Sequence, residues 1–564
     1  MGRIIGIDLG TTTTEASIIE DGKPVMIQNS SGNIIVPSAV GLDADGNWVV
    51  GERARAQYLL SPENTAIEIK RLMGSSEKIR LGSQSYSAVE LSAKLLEFVR
   101  TYASRYLNEE IDRAVISVPA YFDDIKRQQT LKAGQMAGFQ VERILNEPTA
   151  ASMSYGIEHL DEESHILVYD LGGGTFDVTL LEMFDGVLEA KASSGDNELG
   201  GKDFDEAIVK YLSDQFMAKH GINLMKDAFA RNKLKEAAEN GKKELSTEEK
   251  ITISIPMIAK KDSLPLALEE EIDRELFLKL TGHLLERTHG PIETVLSDAG
   301  IEKHDIDRII LVGGSTRMPL VSEDIEAFLN KKPERAVNPD FAVAEGAAIQ
   351  AGLIEGSISR EDSIMMTDVN PYTLGIRAGD GFSFDNMSVI IPRNITIPAK
   401  RSEIYTTSHD YQREARIEVY QGESSFASHN HFLGEFMVEG IPSKRRGKEK
   451  IQVDFSYDLN GMLDVKATIC STGQDASVVI NMMEETEDPN ARLEKWKDSP
   501  HEKKFRSVIR RAEKRLKKAE EEGDYLSQAS LFSLLKELKE AIIEDDIEAG
   551  EEIEQDLIDL LREL

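Results

Sequence analysis

Apolar positions along residues 3–350 follow two alternating patterns. Short β-rich runs are separated by longer stretches in which apolar residues recur every three or four positions. That longer spacing predicts helices at Ala88–Leu107 and at 204–220, because it collects apolar side chains on one helical face. Alternating strands and helices are typical of a layered α/β fold.

The pattern changes after residue 356. Residues 357–368 are mostly polar but include the apolar segment 364–366. This pattern predicts a linker with a short apolar segment that can bind another apolar surface. Residues 369–481 contain short alternating strands such as 415–420, with a hairpin signal at Asn460-Gly461, and therefore predict an all-β domain. Residues 482–564 show helical spacing at 505–519 and 531–542, which predicts a small bundle broken near Gly523 and Gly550.

One long-range repeat lies within the α/β region. Residues 7–13, followed by 16–19, match residues 169–175, followed by 178–181. Each copy reads as a strand, an aspartate, a Gly/Thr turn and a second strand. The copies are too far apart for a solenoid repeat, so we predict a duplicated lobe that faces its partner across a cleft. A cleft is where a ligand would bind.

Length and charge narrow the class of protein. At 564 residues the chain exceeds what one core usually organises, so we expect two or more domains. With 100 acidic against 66 basic residues, the net charge of -34 disfavours nucleic acid and anionic membranes as partners. The single cysteine, Cys470, cannot form an internal disulfide, and we expect it to be buried on a strand. Without a long apolar run, we expect a cytoplasmic protein.

The two Asp-Gly/Thr turns carry candidate phosphate chemistry. Glycine lets the main chain approach closely, so that backbone N–H groups can surround phosphates, while Asp8, Asp170 and Asp177 would lie near a hydrated magnesium ion. One such turn alone could be an ordinary hairpin; two matched copies favour the phosphate interpretation. A third glycine turn, 309–317, offers Arg317 for stacking on adenine, although alone it could be a helix-capping loop. P-loop and Rossmann motifs do not occur in the sequence.

Several further motifs carry a family resemblance. They occur at residues 6–12, 69–72, 118–122, 146–151, 170–177, 199–201, 313–317 and 338–340. Through them the chain resembles the seventy-kilodalton heat-shock chaperone family, the DnaK-like proteins, collinearly from residue 2 to about 481. Residues 80–83, 195–197, 367–372 and 457–461 are similar to the short HscC-type branch of that family.

The resemblance implies a fold and a division of the chain. It implies an α/β actin-like, two-lobed ATPase domain at 1–356, a linker at 357–368, a β-sandwich peptide-binding domain at 369–481 and a short helical lid at 482–564. It also implies ATP and Mg²⁺ as cofactors, with K⁺ as a further candidate ion. The implied partners of this monomer are extended polypeptides, a J-domain co-chaperone and a nucleotide exchange factor.

The resemblance also implies roles for individual residues. Lys70 would position the attacking water, Glu147 and Asp170 would organise magnesium waters together with Asp8, and Asp177 would assist proton transfer. A lysine such as Lys70 is otherwise usually a solvated charge on a helix face. The implied nucleotide-binding residues are Asp8, Gly10, Thr11, Thr12, Thr13, Gly172, Gly173, Gly174, Thr175, Gly200, Gly201, Glu239, Lys242, Lys243, Ser246, Gly313, Gly314, Ser315, Arg317 and Asp340.

A peptide groove is implied in the β domain. Its residues would be Ile376, Tyr405, Ser408, Ala415 and Ile417, where an extended peptide would bond through its backbone and fill one apolar pocket. Alternatively, these residues form the hydrophobic core of the sandwich. For Ile417 the sequence favours neither the groove nor the core. The loop at 377–386 is longer than in the main family and lacks its arch methionine.

Two other functions fit the same fold. A small-molecule kinase would transfer phosphate to a sugar or an acid instead of water, and a filament-forming ATPase would assemble with ATP. The β domain and the helical tail argue against both. The basic run at 503–518 and the acidic stretch at 544–554 are interpreted as solvated faces that complement one another, in preference to an RNA-binding surface.

Overall fold

The computed structural model describes residues 2–58, 60–156, 163–184, 187–261, 264–334, 338–358, 365–379, 385–479, 489–522 and 524–564. Residues 359–364 of the predicted linker, the first residues of the predicted lid, Gly523 and half of the loop at 377–386 lie outside this description. The chain divides into one unit of Met1–Pro371 with Leu459–Gly461, and a second of Tyr372–Asp458 with Met462–Leu564. Among the described helices, none is long and apolar enough to cross a membrane.

The first half of the first unit contains eleven described strands and four helices. The strands are β1 (Ile4–Leu9), β2 (Thr13–Glu20), β3 (Lys23–Met26), β4 (Val36–Pro37), β5 (Ala39–Leu42), β6 (Trp48–Val50), β7 (Thr65–Ile67), β8 (Lys78–Leu81), β9 (Gln84–Ser87), β10 (Arg113–Val118) and β11 (Gln140–Asn146). The helices are α1 (Glu52–Tyr58), α2 (Ala88–Leu107), α3 (Asp124–Met136) and α4 (Glu147–Gly156). The predicted helix at Ala88–Leu107 is confirmed, and Ser87 with Glu90 closes its first turn as a capping box.

The second half contains seven described strands and five helices. The strands are β12 (Ser164–Leu171), β13 (Phe176–Phe184), β14 (Val187–Asp196), β15 (Lys250–Lys261), β16 (Leu264–Asp273), β17 (Arg308–Val312) and β18 (Met365–Val369). The helices are α5 (Gly201–His220), α6 (Ala228–Leu245), α7 (Arg274–Ala299), α8 (Pro319–Leu329) and α9 (Ala342–Glu355). Helix α5 confirms the predicted helix at 204–220.

The two halves repeat one sheet topology. The first sheet has the strand order β11-β10-β1-β2-β3, and the second has the order β17-β12-β13-β14-β18 within this unit. Strand β1 pairs antiparallel with β2 and parallel with β10. Strand β12 pairs antiparallel with β13 and parallel with β17 in the same way. The repeat predicted from the sequence is therefore a duplication of strand pairing, which gives the unit its two lobes.

Helices α4 and α9 pack in a core that joins the lobes. Their alanines lie in one apolar cluster with Ile4 of the first sheet and Val168 of the second. The helices approach each other very closely at Gly346, where an added Cβ would lie 1.7 Å from the carbonyl oxygen of Ala150. Any larger residue would push the helices apart, so this glycine sets the spacing of the two sheets.

The second unit contains a β-sandwich and a helical bundle. Its strands are β19 (Leu374–Ala378), β20 (Asn386–Ile391), β21 (Thr396–Ile397), β22 (Ala399–Thr406), β23 (Glu414–Gln421), β24 (His431–Glu439), β25 (Lys450–Tyr457), β26 (Leu463–Ile469) and β27 (Gln474–Val479). Its helices are α10 (Pro489–Glu494), α11 (Glu502–Glu522), α12 (Tyr525–Ile543) and α13 (Ile547–Glu563). Two four-stranded sheets have the orders β20-β19-β23-β24 and β22-β25-β26-β27, and β25 and β26 form the predicted hairpin.

Two local predictions in this unit are wrong. Cys470 is exposed in the turn after β26, because the strand ends at Ile469. The helical tail breaks at 544–546, where Asp546 caps α13, and not at Gly550. Gly550 lies inside α13 against the ring of Phe505, where a larger residue would press on the ring. The basic and acidic segments meet through an ion pair between Lys504 and Glu551.

Candidate nucleotide and peptide sites

A cavity of about 580 Å³ opens between the two lobes of the first unit. It is lined by all of the predicted catalytic and nucleotide-binding residues except Asp177, Gly174 and Gly200. These three stand directly behind its wall. Asp177 accepts a hydrogen bond from the Tyr121 backbone N–H (2.8 Å), and Gly174 accepts one from Arg71 (3.1 Å). Gly200 donates its backbone N–H to Asp203 (2.8 Å).

Lys70 lies at the acidic end of the cavity. It belongs to a 3-10 turn, Ile69–Leu72, that follows Glu68 in the left-handed conformation with φ of 58°. Its side chain is 6% exposed and forms an ion pair with Glu147, the first residue of α4. Lys70 is therefore not a solvated surface charge, and its ammonium group faces into the cleft with a fixed partner.

Buried carboxylates surround this ion pair. Burial and the charge of Glu147 raise the pKa of Asp8 to about 7, although Lys70 and the Ser117 hydroxyl act in the opposite direction. Burial raises the pKa of Asp177 to about 7 and that of Asp170 well above its ordinary value, with Glu147 as the next cause in both. A buried cluster with this much negative charge is stabilised by a cation.

The donor set fits magnesium held through its water molecules. In the described part of the chain, no group of three or more His, Cys, Asp or Glu side chains is close enough to hold a metal ion directly. Magnesium usually keeps several of its waters and binds proteins through one or two carboxylates and substrate phosphates. Asp8, Glu147 and Asp170 all line the cavity and offer such carboxylates.

Three glycine loops converge beside the carboxylates. The Gly201 backbone N–H and the Ser315 hydroxyl both donate to the carbonyl oxygen of Gly172, at 2.9 and 2.8 Å. Gly313 has φ of 83°, and a Cβ there would lie 2.5 Å from a carboxylate oxygen of Asp170, so that only glycine fits the turn. The loops bring glycine backbone from three strand ends to one wall, as phosphate binding requires.

The far end of the cavity carries a set of mixed charges. Arg317 forms an ion pair with Asp340, and Lys242 Nζ donates to the carbonyl oxygen of Gly201 (2.9 Å). Burial acts to raise the pKa of Glu239, but Lys202, Lys243 and Arg55 outweigh it and lower the pKa to about 2. Glu239 is therefore a permanent anion at this end, where the family resemblance places the adenosine.

We predict that the ion pair between Arg55 and Glu239 retards release of a bound nucleotide. The two side chains come from opposite lobes and their atoms lie 2.5 Å apart across the cleft. Arg55→Ala removes this ion pair, which should contribute on the order of 1 kcal/mol because it is partly exposed. We therefore expect fluorescent ADP to be released several-fold faster, as measured by stopped flow. Lys235→Ala is the matched control, because it removes an ion pair with Glu206 (2.6 Å) that lies within the second lobe and outside the cavity lining. Equal acceleration in both variants would contradict this role.

Several lining residues were not predicted from the sequence. They are Glu15, Ile35, Lys202, Asp205, Thr247, Met318, Pro339 and Val343. Asp205 forms an ion pair with Lys242 (2.7 Å) one helical turn after Gly201, a spacing that the sequence does contain. Glu15 is a buried carboxylate next to Asp8, and burial followed by the charge of Asp8 raises its pKa well above the ordinary value.

The predicted peptide residues occupy unequal environments in the sandwich. Ile376 and Ile417 are buried on neighbouring strands β19 and β23, and Ala415 lies two positions before Ile417 on the same face. Tyr405 is in the opposite sheet and its hydroxyl is 2.8 Å from that of Ser388. Ser408 is exposed in the turn after β22, and its backbone N–H donates a hydrogen bond to Gln412 (2.8 Å).

The duplicated lobes, the glycine loops and the acidic cluster together define a two-lobed nucleotide-binding protein joined to a β-sandwich and a helical bundle. The chain matches the family model described as Hsp70 protein over residues 4–563, and it belongs to the Hsp70 family. Members of this family are ATP-dependent chaperones that hydrolyse ATP with Mg²⁺ and act on unfolded polypeptides with co-chaperones. Family membership also implies the two-lobed actin-like ATPase, the β-sandwich and the helical lid.

Proposed function

We propose that this chain is a chaperone of the HscC-type branch whose ATP state controls the release and capture of extended peptide by the β-sandwich. The observation that carries this proposal is the position of the linker strand. Strand β18 pairs in parallel with β14 through Met365, Met366 and Thr367, as an added strand of the second-lobe sheet. A linker bound in this way can report the state of the nucleotide cavity.

The linker strand also contacts residues that lead to the cavity. Asp368 accepts hydrogen bonds from the Asn146 amide (2.6 Å) and the Thr149 hydroxyl (3.1 Å). Asn146 immediately precedes Glu147, the partner of Lys70, and its side-chain Oδ1 accepts a hydrogen bond from the buried Arg127 (2.7 Å). A displacement of Glu147 would therefore reach Asp368 through the hydrogen bonds of Asn146 and Thr149.

The proposed hydrolysis relies on positioning and electrostatics. Lys70 orients the attacking water, Asp177 accepts a proton through the water network, and the glycine loops hold the phosphates. Asp8, Glu147 and Asp170 would hold the waters of Mg²⁺, which supplies charge neutralisation on the phosphates. A J-domain co-chaperone and an exchange factor complete the proposed cycle. The kinase alternative provides no role for the linker strand or the sandwich.

The decisive experiment measures peptide binding in different nucleotide states. Fluorescence anisotropy of a labelled extended peptide should show slow release with ADP and much faster release with ATP. A protein that binds ATP but whose peptide affinity and release ignore the nucleotide would contradict the proposal. Transfer of the γ-phosphate to a small molecule, with no peptide bound, would favour the kinase.

We predict a preference for large anchor side chains in the groove. Ala415 is small beside Ile417, so a leucine anchor leaves a gap there, and each buried methylene without contacts forgoes roughly 0.8 kcal/mol. Peptides with Phe or Met anchors should bind more tightly than Leu peptides, and Ala415→Val should restore the Leu preference. Anisotropy on an anchor series in the ADP state measures this. A flat series that Ala415→Val leaves unchanged would assign these residues to the sandwich core.

A further inference from the structure

Glu15 stands directly opposite Asp8 in the ladder of β1 and β2. The register pairs Asp8 with Glu15, so both side chains project from the same face of the sheet. Glu15 is 2% exposed and lines the nucleotide cavity. Like charges directly opposite one another destabilise a strand pair, and burial strengthens their repulsion. The chain therefore keeps an unfavourable carboxylate pair at the wall of its nucleotide site.

The second lobe repeats this arrangement at the same register. Asp170 pairs with Asp177 across β12 and β13, and the sequence separation of seven residues is the same as that between Asp8 and Glu15. Under the internal duplication, Glu15 is the first-lobe counterpart of Asp177. Each lobe thus contributes a cross-strand carboxylate pair, in which one residue is the next-to-last of the first strand and the other follows the glycine turn.

We infer that Glu15, which is paired with Asp8 as Asp177 is paired with Asp170, is a positioning residue of the magnesium–nucleotide site. This inference rests on the proposed ATPase function. Where both carboxylates are ionised, the cross-strand pair makes the metal-free site repel a nucleotide, and the cation relieves that repulsion. Glu15 thereby increases the dependence of nucleotide binding on Mg²⁺, through charge and the orientation of water beside Asp8.

The test compares nucleotide affinity with Mg²⁺ and with EDTA, by isothermal titration of ADP. In Glu15→Gln, which keeps the shape of the side chain, we expect the ratio of the two affinities to fall on the order of tenfold, the loss of one charge-assisted contact. The affinity without metal should equal or exceed that of the wild type. Glu15→Asp should keep the ratio within about threefold, because the second lobe uses aspartate at this register.

The outcomes separate this inference from the proposed function. If the wild type binds ADP equally with and without Mg²⁺, the proposed site itself is wrong. If the wild type depends on Mg²⁺ and Glu15→Gln has the same ratio, only the role of Glu15 is overturned. A loss of both affinities together, with a lower melting temperature, would assign Glu15 a structural role. The inference is supported if metal-free Glu15→Gln melts at a higher temperature than the metal-free wild type and if Mg²⁺–ADP stabilises the variant less than the wild type.

Discussion

Lys70→Ala is expected to slow single-turnover ATP hydrolysis by about 100- to 1,000-fold, the range found when one preorganised electrostatic group is removed from an active site. Burial raises the pKa of Asp8, Asp170 and Asp177, and the charge of Lys70 offsets part of that effect on all three. The same ammonium group is held by Glu147 at the wall of the cavity. It is thus held in the cavity, where we propose that negative charge develops on the transferred phosphoryl group.

Nucleotide affinity should change only a few-fold in this variant, because an interaction made mainly in the transition state affects the rate more than ground-state binding. Rapid mixing of protein with radiolabelled ATP measures the chemical step, and titration of labelled ADP measures affinity. Lys235→Ala provides the control, since Lys235 does not line the cavity and forms its ion pair with Glu206. We expect that variant to hydrolyse bound ATP at the wild-type rate. Parallel loss of affinity and turnover in Lys70→Ala would remove Lys70 from the chemical step.

Most of the residues predicted for the nucleotide site line one cavity, and the sequence could place them there because they lie in short local motifs. An Asp followed by a Gly/Thr turn specifies both a backbone conformation and a function, and its second copy at residue 170 confirmed the pattern within one chain. The position of Lys70 came from the family resemblance alone. Its burial depends on Glu147, which is distant in sequence, so that no local pattern could distinguish it from a solvated lysine.

Other features depend on packing that a local pattern does not encode. The helix break at 544–546 follows from the Asp546 cap, whereas Gly550 was a plausible break that instead fits against Phe505. Cys470 is exposed because β26 ends one residue earlier than expected. The repeat aligns Glu15 with Asp177. The sequence pattern shows only which face of the strand the glutamate occupies, so it did not indicate a role for Glu15. Strand register reveals its partner Asp8.

Met366→Asp is expected to abolish the acceleration of peptide release by ATP. Met366 pairs with Leu188 in the ladder of β18 and β14, and it packs against the apolar cluster that joins the two lobes. An aspartate there would have to be buried without a cationic partner or leave the sheet, and burying an unpaired charge costs several kcal/mol. We therefore expect β18 to detach. The ratio of the peptide release rate with ATP to that with ADP should then fall to about one, which means that the two sites are no longer coupled.

Binding of each ligand by itself should survive, because Met366 lines neither the cavity nor the predicted groove. Met366→Leu is the matched control: it keeps the apolar contact and similar volume, so its release ratio should stay near that of the wild type. Stopped-flow anisotropy of a labelled peptide, alongside titrations of ADP and peptide, separates the three quantities. If Met366→Asp still releases peptide faster with ATP, the apolar contact of β18 does not transmit the signal. The hydrogen bonds of Asp368 to Asn146 and Thr149 then become the connection to test, since they do not involve the methionine.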